Sequence, residues 1–154
     1  MSKPFARFLL CCAFLSLPAC DSANETATDD DPGDGSGATG DFRECPTSPI
    51  SVGQTVTGEI SPEDCELPAG DPADYYRFNV ASSGTFTITV DATGDQTVDP
   101  VLTLYFDRGT VLATINDGGA GDNEVLSIEL SRGDYVIETT SADLTTGSYQ
   151  LRLE

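Results

Sequence analysis

The sequence predicts an all-β domain, an antiparallel sandwich of seven or eight short strands. Apolar residues recur at every second position over most of the chain after residue 75, which is the spacing of strands with one buried face. Turn-forming residues interrupt this alternation about every ten residues, and no window shows apolar residues at helical spacing. The alternating runs are Tyr76, Phe78, Val80; Phe86, Ile88, Val90; Leu102, Leu104, Phe106; Val111, Ala113, Ile115; Leu126, Ile128, Leu130; Tyr135, Ile137; and Tyr149, Leu151, Leu153.

Turn signals separate these predicted strands in chain order. Glycine next to serine, aspartate or arginine supplies the conformational freedom that a tight reversal needs. About 110 residues suffice for a two-sheet core in which each sheet buries one face. The turn signals are Ser82-Ser83-Gly84, Asp107-Arg108-Gly109, Asp117-Gly118-Gly119, Arg132-Gly133-Asp134 and Thr146-Gly147-Ser148.

Residues 1–19 predict a secretory signal peptide. Lys3 and Arg7 precede a ten-residue apolar run, which as a helix spans about 15 Å and is too short for a bilayer core of about 30 Å. The ending Leu17-Pro18-Ala19-Cys20 resembles the bacterial lipoprotein signal. This resemblance implies that residues 1–19 are removed and that Cys20 carries the lipid. The alternative is an ordinary signal peptide cut after Ala19, which leaves Cys20 as a free thiol.

Residues 20–44 predict a tether that follows the lipidated cysteine. Residues 21–44 hold eight acidic residues and have Phe42 as their one large apolar side chain. Such a segment buries too little apolar surface to offset its ordering entropy, so we expect it to be disordered. The expected location is therefore the bacterial cell envelope, lipid-anchored and extracytoplasmic, with a folded domain at residues 45–154.

Charge excludes one class of partner. The chain has 26 acidic and 7 basic residues and a net charge of −19. Since Lys3 and Arg7 precede every acidic residue, removal of the signal would bring the net charge to −21. A field of this sign repels phosphate backbones, so the sequence predicts no nucleic-acid binding.

The cysteine count predicts one disulfide. Cys11 and Cys12 leave with the signal, and lipid occupies Cys20, so Cys45 and Cys65 remain. An even remainder in an exported chain indicates a disulfide, here closing a loop of about twenty residues. Two buried free thiols are the alternative. A zinc site lacks support because the chain has no histidine and no second cysteine pair.

Five segments together resemble the bacterial pre-peptidase C-terminal domain. They cover residues 50–154 and follow one another in the order that this family shows. The resemblance implies a jelly-roll-like β-sandwich that accompanies secreted proteases, and a relation to the collagen-binding domains of bacterial collagenases. The segments are residues 52–60 (VGQTVTGEI), 71–78 (DPADYYRF), 99–107 (DPVLTLYFD), 117–124 (DGGAGDNE) and 130–137 (LSRGDYVI), closed by 147–151 (GSYQL).

The resemblance also implies a calcium site. Asp71 and Asp74 match two aspartates that hold calcium in the collagen-binding relatives, whereas the acidic segment that completes the site there is replaced here by residues 43–48 (RECPTS). We therefore expect the Cys45–Cys65 disulfide to hold the segment that calcium holds in relatives. An ordinary turn at Asp71 and strand start at Asp74 are the alternative.

A binding face is predicted from the alternation. If Tyr76 and Phe106 point into the core, Tyr75 and Tyr105 point out and are exposed, and Arg77 lies on the same face as Tyr75. Aromatic and arginine side chains favour recognition surfaces. Cross-strand pairing within the sheet is the alternative for the two tyrosines, and pairing with an acidic residue is the alternative for Arg77.

Catalysis is not expected. The chain lacks histidine, a Gly-x-Ser-x-Gly sequence and a phosphate-binding glycine loop, which excludes the common nucleophilic and acid–base constellations. The sequence instead predicts a membrane-tethered binding module for a protein, glycan or matrix ligand, and the family resemblance implies that calcium is its cofactor. The alternative is an envelope structural or interaction protein that assists a separately encoded exported enzyme or complex.

Overall fold

The predicted strands form in the computed structural model, which describes residues 45–66, 71–94, 98–107 and 109–154. Cys20, the signal peptide and the tether lie outside the described residues. Within the described ranges, no helix has the length and hydropathy needed to cross a membrane.

Ten strands and a single 3-10 turn (Ala142–Leu144) make up the described part of the chain. The strands are β1 (Thr47–Pro49), β2 (Gln54–Ile60), β3 (Cys65–Glu66), β4 (Pro72–Val80), β5 (Gly84–Ala92), β6 (Pro100–Phe106), β7 (Thr110–Ile115), β8 (Asn123–Leu130), β9 (Gly133–Ser141) and β10 (Gly147–Leu153).

The strands form two sheets, as the sequence predicts. The order in the first sheet is β1-β4-β9-β6-β7, with β3 also paired to β4, and the order in the second is β2-β10-β5-β8. All pairings are antiparallel except the one between β1 and β4, which the sequence did not indicate. β1 and β3 were missed because strands of three and two residues are too short for alternation to show.

The core lies between the two sheets and uses the predicted side chains. Tyr76, Phe78 and Val80 of β4 face Ile88 and Val90 of β5 within one apolar cluster. These positions alternate with exposed residues such as Arg77 and Asn79, so β4 buries one face against the second sheet. The remaining members are Ile50, Ile60, Val98, Leu102, Leu104, Leu126, Leu130, Tyr135, Ile137, Tyr149, Leu151 and Leu153.

Two predicted core positions are wrong. Phe106 is 40% exposed and Val111 is 55% exposed. The register between β6 and β7 shifts between Leu104 and Tyr105, so Val111 pairs with the outward-facing Tyr105 and not with a core position. Phe106 keeps the core side of β6, since it pairs with Tyr135, but it is the last residue of the strand. Phe106 instead packs edge-on against Tyr135 at the end of the sheet, with ring centroids 5.4 Å apart.

The glycine inside β2 gives a core tyrosine its space. Gly58 pairs directly with Tyr149 of β10. A Cβ atom at position 58 would lie 2.3 Å from the Tyr149 Cζ atom, closer than any side chain tolerates. Tyr149 is fully buried, so this glycine is required by packing and not by backbone conformation.

The loop between β7 and β8 is held by a buried carboxylate. Glu124 is 1% exposed, and its Oε2 atom accepts a hydrogen bond from the Asp117 amide at 3.0 Å. The Oε1 atom accepts one from the Gly118 amide at 2.8 Å. These bonds satisfy the buried charge and fix the loop at its start.

Candidate functional site

The three predicted binding residues lie on the outer face of the six-stranded sheet, the face turned away from the sandwich core. Arg77 pairs with Val136 of β9, and Val136 pairs with Tyr105 of β6. Tyr105 in turn pairs with Val111 of β7. With strands about 4.8 Å apart, this row crosses four strands over roughly 14 Å. The alternation therefore placed Arg77 and Tyr105 on one face, in register.

Tyr75 is not exposed, so the predicted pair of exposed tyrosines is wrong. Its side chain is 2% exposed and belongs to a second apolar cluster on the outer face. The disulfide between Cys45 and Cys65, with Cα atoms 5.6 Å apart, packs in this cluster, which confirms the predicted pairing. The sequence did not reveal that the disulfide covers an outer face. The cluster comprises Cys45, Ala73, Tyr75 and Val136, with Cys65 and Tyr105 packed against it.

Tyr105 is half-buried and bound to the carboxylate of Glu138, a residue that the sequence did not single out. Its hydroxyl donates to the Oε2 atom of Glu138 at 2.9 Å. Burial raises the pKa of Glu138, an effect that the bonds from Tyr105 and Tyr75 partly oppose. Burial, together with the negative charge of Glu138, also raises the pKa of Tyr105. The two tyrosines therefore take part in contacts between strands of the sheet, which was the alternative to an exposed binding face.

A groove of about 720 Å³ lies beside this cluster on the same face. One wall is the segment from Cys45 to Val52, and the floor and other wall come from β4, β9 and the end of β6. Its polar lining includes Arg77, Asn79, Asp107 and Asp134, and Ile50, Val52 and Val136 are among the residues that contribute apolar surface.

Arg77 is the basic side chain that lines this groove. Its Nη1 atom donates to the carbonyl oxygen of Thr47 at 3.3 Å and to the Thr47 hydroxyl at 3.0 Å. Among the residues that the structure describes, no acidic side chain forms an ion pair with Arg77. The ion pair found there joins Arg152 and Asp91 on the other sheet, with the Nη2 and Oδ2 atoms 3.6 Å apart. The guanidinium is therefore positioned by β1 and keeps donors for a ligand.

Asn79 and Asp134 extend the polar lining of the groove. They pair directly across β4 and β9, and the Asn79 amide donates to the Asp134 Oδ1 atom at 2.6 Å. Asp134 joins the end of β6 through its carbonyl oxygen, which accepts from the Asp107 amide at 2.8 Å. A ligand in the groove thus meets donors on β4, a carboxylate just after β6 and a carboxylate on β9.

Asp74 points to the other side of β4, into a buried tyrosine pair. Its Oδ2 atom accepts a bond from the Tyr149 hydroxyl at 2.5 Å, and the hydroxyls of Tyr149 and Tyr76 lie 2.7 Å apart. Burial raises the pKa of Asp74, the bond from Tyr149 opposes this, and the charge of Asp64 adds to the rise.

The two aspartates of the predicted calcium site have different neighbours in the structure. Asp71 acts electrostatically on Glu138 of the outer face, whereas Asp74 binds Tyr149 on the core face. Calcium takes six to eight oxygen ligands. Within the described ranges, no group of three or more acidic, cysteine or histidine side chains is placed to hold a metal ion. Calcium binding at Asp71 and Asp74 stays a prediction.

The two-sheet fold and the groove define the class of protein as a β-sandwich module. The family model of the bacterial pre-peptidase C-terminal domain matches residues 72–153, which is more than half of the sequence. The chain therefore belongs to the bacterial pre-peptidase C-terminal domain family, which confirms the resemblance. No curated protein matches the chain significantly.

Solved structures support the fold. The pre-peptidase C-terminal domain of a collagenase from Bacillus anthracis is 20% identical, with a TM-score of 0.57 over 71% of this chain and 95% of that chain. A periplasmic inhibitor of g-type lysozyme from Aeromonas hydrophila is 11% identical, with a TM-score of 0.42 over 70% of this chain and 97% of that chain. The first likeness confirms the β-sandwich that the alternation predicts.

Proposed function

We propose that this protein is a membrane-tethered, extracytoplasmic binding module that takes a protein or polysaccharide ligand in the groove beside Arg77. The groove is the observation that carries the proposal. Its volume lies within the range of about 300–1,000 Å³ that is usual for ligand sites, and it combines apolar walls with a few directed polar groups. Peptide backbones and sugar hydroxyls both need such donors and acceptors side by side.

The module acts without catalysis in this proposal. Asp107 and Asp134 are the acidic side chains that line the groove, and both are exposed. A carboxylic acid that donates a proton in glycoside hydrolysis needs burial to raise its pKa. The buried Glu138 does not line the groove and is bound by Tyr105. The chain also lacks histidine.

Lipid anchoring at Cys20 is part of the proposal and has its own test. Two or more acyl chains are needed for stable membrane binding. Intact-mass measurement of the protein from bacterial membranes is expected to show an N-terminal diacylglyceryl cysteine at Cys20. An unmodified N-terminus at Cys20, or retention of residues 1–19, would contradict the anchor.

The groove is tested by binding of the full chain to immobilised polysaccharides and fibrous proteins, with and without calcium. Arg77→Gln is expected to weaken retention on the bound polymer at least about tenfold, because the positioned donors are lost. Arg132→Gln is the matched control, since Arg132 is exposed in the β8–β9 turn and does not line the groove. Equal effects of the two variants would overturn the proposal.

An envelope interaction protein that assists a separately encoded exported enzyme is the second candidate. An uncharged edge strand, β7, favours it, because such an edge offers backbone groups to another polypeptide. Absence of polymer binding, together with co-purification of one envelope protein, would favour this candidate over the first. Retention on a polymer that depends on Arg77 would favour the first.

A further inference from the structure

The strand β7 is an open edge of the six-stranded sheet. It lies last in the strand order, and β6 is its strand partner among the described residues. Val111 is 55% exposed and Leu112 is 41% exposed. The sequence of β7, TVLATI, contains no charged residue, although the chain as a whole has 26 acidic residues. Its outward backbone N–H and C=O groups therefore face solvent beside an apolar surface.

The other described edges carry the features that usually prevent strand addition. β2 contains Glu59 and β8 contains Glu129, and both side chains are exposed. β1 is three residues long and ends in Pro49, and β3 is two residues long and contains Glu66. Charges, proline and short length all discourage another strand from pairing. β7 alone among these edges combines six residues with no charge and no proline, although its register with β6 shifts between Leu104 and Tyr105.

We propose that β7 receives an extended segment of a protein partner, which adds a strand to the six-stranded sheet. Main-chain hydrogen bonds would supply the affinity of such a complex, and alternate side chains would supply its specificity. At the start of β7, Asp107 is followed directly by Arg108, whereas Asp117 and Asp122 follow β7 and are both exposed. The segment that fits is therefore apolar and β-branched in its centre and carries lysine or arginine at the end that lies beside Asp117 and Asp122.

Charge decides between this partner and the other candidate occupants. A second copy of β7 would bring together two chains that each carry a net charge of −19 and that repel each other. The segment at residues 21–44 holds eight acidic residues and lacks an alternating apolar run. A basic extended segment from another protein meets neither obstacle.

Hydrogen exchange on the full chain tests the proposal with a synthetic peptide, Lys-Lys-Thr-Val-Thr-Val-Thr-Lys-Lys. The peptide is expected to slow exchange of the amides at residues 110–115. Val111→Lys is expected to weaken peptide binding at least about tenfold, and Leu112→Lys serves as a second variant. Val125→Lys is the matched control, because Val125 is 49% exposed on the other sheet's edge strand β8. A peptide N-methylated at alternate residues is expected not to bind, since it cannot complete the ladder.

Five results would overturn the proposal, of which four concern the peptide. They are slowed exchange at another edge strand instead of β7, equal binding of a glutamate-flanked peptide, equal binding by the parent and both β7 variants, and binding of the N-methylated peptide. Sedimentation that shows a dimer dissolved by Val111→Lys would also overturn it, in favour of a second copy. Thermal midpoints of the variants establish that each is folded.

Discussion

The Cys45–Cys65 disulfide is expected to contribute about 3 kcal/mol to the stability of the domain. It joins the segment that enters β1 to strand β3, and both strands pair with the same edge of β4. The perturbation is Cys45→Ala/Cys65→Ala, or reduction of the parent. Without the covalent link, these two short strands must be held by a few hydrogen bonds and by the small cluster around Tyr75.

The magnitude follows from the length of the closed loop. The two cysteines are 20 residues apart. In the chain-entropy model, closing a loop of this length removes about 11 cal/mol/K from the unfolded chain, which is about 3 kcal/mol at 25 °C. For a domain of about 110 residues, a loss of this size lowers the thermal midpoint by roughly 10–15 °C. The urea m-value is expected to rise, because the unfolded chain becomes less compact.

Urea and thermal unfolding of the full chain measure this effect. Tyrosine fluorescence reports the unfolding transition without a contribution from tryptophan, because the chain has none. Reductant is expected to lower the midpoint of the parent and to leave that of the Cys45→Ala/Cys65→Ala variant unchanged. Equal midpoints of the parent with and without reductant would refute the reasoning, and the disulfide would then be a by-product of a segment already held by packing.

Three further predictions concern buried groups. Gly58→Ala is expected to lower the free energy of unfolding by about 1–3 kcal/mol in urea titrations, because the new Cβ meets the Tyr149 ring; an unchanged midpoint would contradict this packing. Tyr149→Phe is expected to cost about 1–3 kcal/mol, because it leaves the buried Tyr76 hydroxyl and Asp74 without their shared partner; a stability equal to the parent's would show that water replaces the hydroxyl. Burial raises the pKa of Glu138 in the folded state above its value in the unfolded chain, so the parent is expected to lose stability as the pH rises from about 4 to 7. Glu138→Gln removes this ionisation and is expected to make the free energy of unfolding less dependent on pH over that range. Parallel pH profiles of parent and variant would contradict that assignment.

The groove could be predicted only in part. Alternation along β4 placed Arg77 on an outward face, and the structure agrees because β4 pairs with β9 without a register shift. Tyr75 obeys the same alternation and also points outward, yet it is buried. Alternation assigns a side chain to a face of the sheet, and it does not say what covers that face.

Glu138 and Asp74 show the same limit for charge. Their sequence positions carry no signal of burial, since acidic residues are common throughout this chain. Burial raises the pKa of both carboxyl groups, and the opposing hydrogen bonds come from Tyr105 and Tyr149, which lie far away in sequence and meet them only through strand pairing and sheet packing. Neither contact could be inferred without the register.

The sequence by itself determined the sandwich class, the positions of the longer strands and the disulfide pair, because each depends on local period, turn chemistry or a count of two cysteines. Only the tertiary structure decided that Thr47–Pro49 pairs with β4 as a parallel edge strand, that Tyr75 is buried with Cys45 on the outer face, and that Arg77 borders a groove. Those features depend on contacts between segments that are distant in sequence. The stability of such contacts comes from burial and strand register, which produce no periodic pattern in the amino-acid sequence.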